Sequence, residues 1–331
     1  MPVVPAVLPP PQLPGRHVRP ATPGDVDSVF RLMADSALAM TGDQDTSRDE
    51  VASELANPAI DLATDTLLVE EPDGRATGYV VACDDDPGRA YVDVYLDPAL
   101  TDGDFFTVGR ALMAWGLDRV ASFVAASGRS KVRVVSGTYV EERRQRHVLS
   151  DAGFVDDRVY WRMSVDLDQR PPRPAVPPGV RLRRIDLTRD EERQLAHRLA
   201  EEVMAEHHGH VARDPEAFWA QHNDAVAIFD PTAWWVGEVD GEPAGILIGD
   251  ESRIDDNGGY VRTLGVLPAS RGRGVAKALL HEAFEEYAGR GRATVSLGVD
   301  SENATGATAL YESVGMHQSA SIVFGIRDVL V

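Results

Sequence analysis

A proline-rich segment near the middle of the chain separates two copies of one sequence pattern. The segment reads QRPPRPAVPPG over residues 169–179, and prolines at this density exclude the interior of a helix or a sheet. We therefore predict a semi-rigid linker. Four short matches recur across it in the same order, all about 160 to 170 residues apart: VRPAT and LRRID, DGRATGY and DGEPAGI, YLDPA and GVLPA, LSDAGF and YESVGM. This repetition predicts a duplicated fold.

The linker divides the 331 residues into two parts that are each long enough for a domain. The chain opens with MPVVPAVLPPPQLPG, which lacks a basic start and has too many prolines for a signal peptide. We predict a disordered arm over residues 1–15. The first domain is then predicted over residues 16–168 and the second over residues 180–331.

The second copy alternates helical and strand patterns, which predicts an α/β fold with a mixed sheet of the α+β kind. Asp240-Gly241 lies between two apolar runs and indicates a hairpin turn. Apolar residues at helical spacing follow Gly274. In chain order we predict a helix over 190–206, two hairpin strands within 234–251, a strand over 258–266, a helix over 274–288, a strand over 293–299, a helix over 304–314 and a strand over 319–328.

The composition of the chain argues against several kinds of binding partner. The net charge of −20 opposes binding to nucleic acid or to an anionic membrane. The single cysteine, Cys83, excludes an internal disulfide and a cysteine-rich metal site. The irregular EHHGH run over 206–210 is a weak metal pattern and is more typical of a surface or of acceptor recognition, so we predict no metal. No apolar run reaches the ~20 residues of a membrane span, and we expect a cytoplasmic protein.

One short loop concentrates positive charge in this acidic chain. Arg271, Gly272, Arg273 and Gly274 precede a predicted helix that carries Lys277 in its first turn. The first amides of a helix have no partner within the helix, and glycines let a loop wrap around an anion. The pattern therefore predicts a diphosphate site, with an ordinary surface turn as the alternative. The spacing fits neither a dinucleotide fingerprint nor a P-loop, which argues against a nucleotide-dependent kinase.

Two motifs of the second copy resemble those of the GNAT superfamily of N-acetyltransferases. RGRGVA, residues 271–276, fits the R/Q-x-x-G-x-G/A signature of that family. NATGATALYESVGM, residues 303–316, is similar to its second motif, with Met316 in place of the usual aromatic residue. The resemblance covers about residues 179–328 and implies two tandem GNAT-like acyl-CoA N-acyltransferase domains.

The resemblance implies acetyl-CoA as co-substrate and a primary amine of a small molecule or peptide as acceptor. Tyr311 is the implied general acid that protonates the departing thiolate, although its helical spacing also suits a core residue. Asn303 could contact the cofactor, cap a helix, or do both. The general base stays open among Asp250, Glu251, Glu238 and Tyr260. The implied cofactor-binding residues are Leu264, Gly265, Val266, Arg271, Gly272, Arg273, Gly274, Val275, Ala276 and Asn303.

The first copy lacks these motifs. The repeat offsets set Asp104 against Arg271 and Leu149 against Tyr311. An aspartate repels a pyrophosphate and a leucine cannot donate a proton, so we predict a degenerate first domain and a catalytic second domain. A non-catalytic acyl-CoA sensor or scaffold is the alternative function. The oligomeric state is open, and a monomer is compatible with the sequence.

Overall fold

The computed structural model describes residues 7–86, 89–207, 210–223, 228–303 and 306–330. These residues form two compact units that are not continuous in sequence. Unit 1 runs up to Trp161 and also contains Asp300–Glu302 and the final strand from Ala320 onward. Unit 2 contains Arg162–Val299 and Asn303–Ser319. The predicted division at a single linker therefore differs from the observed one, because the last strand of the chain belongs to unit 1.

The elements of the first half are β1 (His17–Arg19), α1 (Val26–Thr41), α2 (Arg48–Leu55), α3 (Leu62–Asp65), β2 (Thr66–Glu70), β3 (Ala76–Asp86), β4 (Arg89–Leu96), α4 (Asp102–Ser127), β5 (Lys131–Tyr139), α5 (Arg143–Asp151) and β6 (Val155–Asp166). Those of the second half are β7 (Val180–Arg184), α6 (Asp190–Met204), α7 (Pro215–Ala220), β8 (Trp234–Val239), β9 (Glu242–Asp250), β10 (Gly258–Val266), α8 (Val275–Gly289), β11 (Thr294–Asp300), α9 (Ala307–Glu312) and β12 (His317–Leu330). Among the described residues, no helix is both long enough and apolar enough to cross a membrane.

Unit 1 contains the strands β1-β2-β3-β4-β5-β12 in that spatial order. β4 and β5 are parallel, and β12 pairs antiparallel with β5 over Ile322–Leu330. The long helix α4 packs its apolar side chains against this sheet, and Val108, Leu112 and Val120 are fully buried there. Thr101 begins α4 by accepting a hydrogen bond from the Asp104 amide, and Gly128 ends it with a φ of 72°.

The segment before β1 differs from the disordered arm predicted for residues 1–15. Residues 7–15 form no helix or strand, but Leu13 is buried in the core that α4 covers, and Leu8 packs against that core. Apolar side chains between the prolines anchor the segment by removing their surface from water. The first six residues of the predicted arm lie outside the described residues.

Unit 2 contains the strands β11-β10-β9-β8-β7. The predicted hairpin is confirmed: β8 and β9 pair antiparallel around Asp240 and Gly241, whose φ values of 53° and 92° suit the tight turn of a β-hairpin. The predicted stripe on α8 is also confirmed, since Val275, Leu279 and Tyr287 are at most 1% exposed. Helix α9 begins at residue 307, three residues later than predicted. The predicted fold class, a mixed α/β sheet, is confirmed.

Equivalent backbone hydrogen bonds in the two units show that one plan is repeated. The Phe154 amide donates to the Leu149 carbonyl at 3.0 Å, and the Met316 amide donates to the Tyr311 carbonyl at 3.0 Å. Directly after β4, the Asp97 amide donates to the Thr77 carbonyl at 3.1 Å. Directly after β10, the Leu267 amide donates to the Ala244 carbonyl at 2.8 Å. These pairs show that Leu149 and Tyr311 occupy corresponding positions.

Glycines in the sheet of unit 2 allow close helix packing, which leads to a stability prediction. A Cβ at Gly259 would lie 2.4 Å from the ring of Tyr287, whereas a Cβ at Gly298 would meet only the Tyr260 hydroxyl at 3.4 Å. We expect Gly259→Ala to lower the free energy of unfolding by about 1–3 kcal/mol. Gly298→Ala, the matched control, should change it much less. Urea unfolding of both variants measures this, and equal effects would contradict the packing described.

Candidate active site

The candidate site of unit 2 begins where two parallel strands separate. β10 pairs with β11 from Gly258 to Val261, but the β10–β11 pairing described ends there. β10 continues to Val266 paired with β9 on its other edge. The edge of β10 that carries Leu264, Gly265 and Val266 therefore faces a gap between the strands. Such an edge has backbone donors and acceptors available to an extended ligand.

The close approach of α6 to this strand explains one of its glycines. A Cβ on Gly265 would lie 2.4 Å from the Cβ of Val203, which is on α6. No side chain fits there without moving the helix. Gly265 is therefore a packing requirement as well as a position on the open edge.

Helix α8 begins without a side-chain cap at the end of the predicted diphosphate loop. Its N-cap residue is Gly274, with a φ of 81°, and Gly272 in the loop has a φ of 75°. Both values lie in the left-handed region that favours glycine. The first amides of α8 consequently have no side-chain acceptor at the cap position, and the helix dipole adds positive potential there.

The open strand edge, the loop and the start of α8 line one cavity of about 410 Å³. Nine of the ten predicted cofactor-binding residues lie on its wall, and they come from three separate parts of the sequence. These nine are Leu264, Gly265, Val266, Arg271, Gly272, Gly274, Val275, Ala276 and Asn303. Arg273 is the exception: its guanidinium points to Asp240 at 3.2 Å and does not line the cavity.

Two positively charged side chains that line the cavity, Arg271 and Lys277, are hydrogen-bonded to groups of the protein. Arg271 donates to the Glu206 carboxylate at 2.7 Å and to the Val266 carbonyl at 3.2 Å. Lys277 donates to the Ser313 carbonyl at 3.2 Å. The Arg271–Glu206 pair is exposed, and an exposed ion pair contributes only about 0–1 kcal/mol. A phosphate oxygen could therefore replace Glu206 at little cost.

Tyr311 lies on α9 and lines the same cavity. Its side chain is 7% exposed. Burial raises the pKa of Tyr311 to about 12, so the phenol keeps its proton at neutral pH. Tyr311 is thus a buried residue that also lines the cavity, and its role as general acid stays a prediction.

Asn303 lines the cavity, but it does not cap α9. The N-cap residue of α9 is Gly306, with a φ of 73°. The capping alternative was wrong because the helix begins later than the sequence pattern suggested.

The four candidates for the general base lie away from the cavity wall. Glu251 binds Arg290 and Arg292 at 2.7 Å each, and Glu238 binds Arg183 at 2.7 Å. Asp250 accepts from the Ser252 hydroxyl at 2.7 Å and pairs with Arg262. Arginines pair with all three carboxylates, and none of the three lines the cavity. Tyr260 does not line it either.

The EHHGH run reaches the cavity through a residue that sequence reasoning gave no catalytic role. His207 lines the cavity, and Val203 one turn earlier on α6 lines it as well. The run itself was the available signal, since it follows directly after α6. Residues 208 and 209 lie outside the described residues. Among the residues described, no cluster of three or more metal-ligating side chains is found.

The corresponding loop of unit 1 corrects the alignment predicted between the copies. The Leu100 amide donates to the Asp97 carbonyl at 3.1 Å, and the Ser270 amide donates to the Leu267 carbonyl at 2.9 Å, so the two turns correspond. After this turn, α4 has its N-cap at Thr101, the next residue, whereas α8 has its N-cap at Gly274, four residues on. The loop before α4 is three residues shorter, so Arg271, Gly272 and Arg273 have no counterpart. Asp104 instead lies in the first turn of α4.

Comparison with known proteins agrees with this geometry. The Acetyltransferase (GNAT) family matches residues 187–316. A mycothiol acetyltransferase of Streptomyces griseus is 30% identical over 248 residues, which cover 73% of this chain and 74% of that protein. Matches to proteins of that name span from 41% to 89% of their own length.

Two solved structures share this fold. A GCN5-related N-acetyltransferase from Sphaerobacter thermophilus superposes with a TM-score of 0.79 at 27% identity, covering 96% of this chain and 97% of that one. A tandem GNAT protein from the clavulanic acid biosynthesis pathway gives a TM-score of 0.68 at 19% identity, covering 95% and 98%, which shows a shared fold.

The fold and the site together define the class of protein as an acyltransferase built from two copies of one α/β unit. The chain belongs to the GNAT family of acetyltransferases, and the predicted enzyme class, an N-acetyltransferase, is confirmed.

Proposed function

We propose that unit 2 transfers the acetyl group of acetyl-CoA directly to a primary amine. The observation that carries this proposal is the single cavity lined by an open strand edge, an uncapped helix start and a buried phenol. A pyrophosphate fits the amides that follow Gly272, with Arg271 beside it. A pantetheine arm fits the edge of β10 from Leu264 to Val266, where it completes the interrupted hydrogen bonding.

Tyr311 acts on the leaving group. As the amine nitrogen forms its bond to the thioester carbon, the carbon–sulfur bond breaks and negative charge develops on sulfur. A thiol has an ordinary pKa of ~8.5, below the value of about 12 that burial gives Tyr311. The proton therefore stays on the phenol oxygen, and Tyr311 stabilises the developing thiolate by donating a hydrogen bond to it. The amine proton leaves to water or to a base on the cavity wall.

The acceptor is proposed to be a small-molecule or peptide amine. The acidic net charge of −20 attracts a cationic acceptor. The curated relatives are named mycothiol acetyltransferases, which makes the unacetylated precursor of mycothiol a second candidate acceptor.

The proposal is tested by following free thiol release from acetyl-CoA with a panel of amines that includes this precursor. We expect amine-dependent thiol release together with an acetylated product of matching mass. The rival function, an acyl-CoA sensor, predicts binding of CoA with no turnover for any amine. That outcome would overturn the transferase proposal while leaving the cofactor site intact.

A further inference from the structure

Unit 1 contains a second cavity, of about 370 Å³, where its own parallel strands separate. β4 pairs with β5 only from Arg89 to Tyr91, and the cavity opens beyond that point. Its wall is acidic, and of the described residues that line it none is a lysine, arginine or histidine. The lining carboxylates are Asp45, Glu50, Glu54, Asp93 and Glu142.

Two polar side chains on this wall have unused acceptors. Gln145 is 5% exposed, and its side-chain amide donates to the Val94 carbonyl at 3.2 Å, but its Oε1 has no partner among the described residues. The Oε1 of Glu54 is also buried without a donor. A buried acceptor without a donor costs about 1–3 kcal/mol, so both atoms favour a ligand that donates hydrogen bonds.

Two of these carboxyls, those of Glu54 and Asp93, are partly buried on the cavity wall. Burial raises the pKa of Glu54 to about 7, helped by the charges of Asp93 and Glu50. Burial raises the pKa of Asp93 to about 6, although the Gly137 amide donates to it at 3.2 Å and opposes the rise. Other groups line the same cavity: Asp45 is hydrogen-bonded to Tyr139, Glu142 pairs with Arg144, and Tyr95 is a partly buried phenol.

Neither coenzyme A nor a metal fits this wall. The start of α4 is closed by Thr101, which accepts the Asp104 amide, and Asp102 and Asp104 add negative charge. Asp104 pairs with Arg16 at 3.0 Å and Asp102 with Arg144 at 3.8 Å, so these carboxylates already engage the nearby cations that a pyrophosphate would need. No group of three or more metal-ligating side chains occurs within the part of the chain that the structure describes.

The rest of the wall suits an apolar body attached to a cationic head. Phe105, Tyr95, Tyr139 and Phe324 contribute aromatic rings to the cavity. Ammonium groups bind well to carboxylates and to aromatic faces when water is excluded. We propose that unit 1 binds a small organic ammonium ion with an apolar or aromatic body, held by Glu54 and Asp93, at a site separate from the acetyl-transfer cavity.

The first test compares 2-phenylethylamine with 2-phenylethanol on the full chain by isothermal titration calorimetry. The two probes differ in the ammonium group alone. We expect the amine to bind about tenfold more tightly or better, and its affinity to rise between pH 5 and pH 8 as Glu54 and Asp93 ionise. Equal binding of the two probes, or an affinity independent of pH, would overturn the proposal.

Variants and location complete the test. Glu54→Gln with Asp93→Asn should weaken amine binding about tenfold or more, whereas Asp49→Asn, an exposed change on the same helix α2, should not. Hydrogen exchange should show amine-dependent protection over residues 48–55 and 89–96. Protection confined to residues 258–289 would instead assign the amine to the acetyl acceptor site. That result would overturn this proposal and leave the transferase proposal standing.

Discussion

Tyr311→Phe is expected to lower kcat by about 10²–10⁴-fold while changing the Kd for acetyl-CoA by less than about twofold. The substitution removes one oxygen atom and keeps the ring, so it should leave the packing of α9 and the stability of unit 2 almost unchanged. What is lost is the donor that stabilises the developing thiolate. Because burial holds the pKa of Tyr311 at about 12, its ionisation should produce no alkaline loss of activity below about pH 11.

The matched control is Tyr79→Phe in unit 1. Tyr79 is fully buried, and its hydroxyl has no hydrogen-bond partner among the described residues. It lies outside the cavity of unit 2, so its loss should not lower turnover. Comparable kcat values for Tyr311→Phe and the parent protein would show that Tyr311 is a core residue without a chemical role.

Gly272→Asp is expected to weaken acetyl-CoA binding about 100-fold or more. The new carboxylate would lie in the loop where the pyrophosphate is proposed to bind, and like charges placed together cost several kcal/mol. The measurement is isothermal titration calorimetry at low ionic strength and again at high ionic strength. The defect should shrink as salt screens the repulsion.

Gly291→Asp provides a control with the same backbone cost. Gly272 and Gly291 have φ values of 75° and 77°, and a Cβ at either position meets nothing within 4 Å. Both substitutions therefore carry a similar strain of about 1 kcal/mol. Gly291 follows α8 and does not line the cavity. If both variants bound acetyl-CoA like the parent protein, the loop could not be the pyrophosphate site.

Sequence reasoning placed the elements of unit 2 well, because their signals are local. The stripe on α8 and the Asp240-Gly241 turn depend on residues within one helix or one hairpin. The nine cavity residues were found for the same reason, since they lie in two compact motifs and one strand. Arg273 does not line the cavity, because neighbouring side chains on a loop point in different directions and its guanidinium pairs with Asp240 on another turn, so its predicted role stays a prediction.

Long-range features could not be read from the sequence. The pairing of β12 with β5 joins residues almost 200 positions apart, and nothing in either strand specifies its partner. The carboxylates that line the cavity of unit 1 come from the loop before α2, from α2, from β4 and from the N-cap residue of α5, and they look like ordinary surface charge when each segment is considered alone. The shortened loop before α4 was missed because the alignment carried one fixed offset between the copies across this loop, and a fixed offset cannot show that three residues are absent.

The central claim is that unit 2 holds the acetyl-CoA. Hydrogen exchange on the full chain with and without acetyl-CoA, at a concentration shown by calorimetry to saturate it, tests this most directly. We predict one molecule bound per chain, with protection over residues 264–277 and none over residues 96–109. Protection over residues 96–109 in place of 264–277, or no binding at all, would contradict the account.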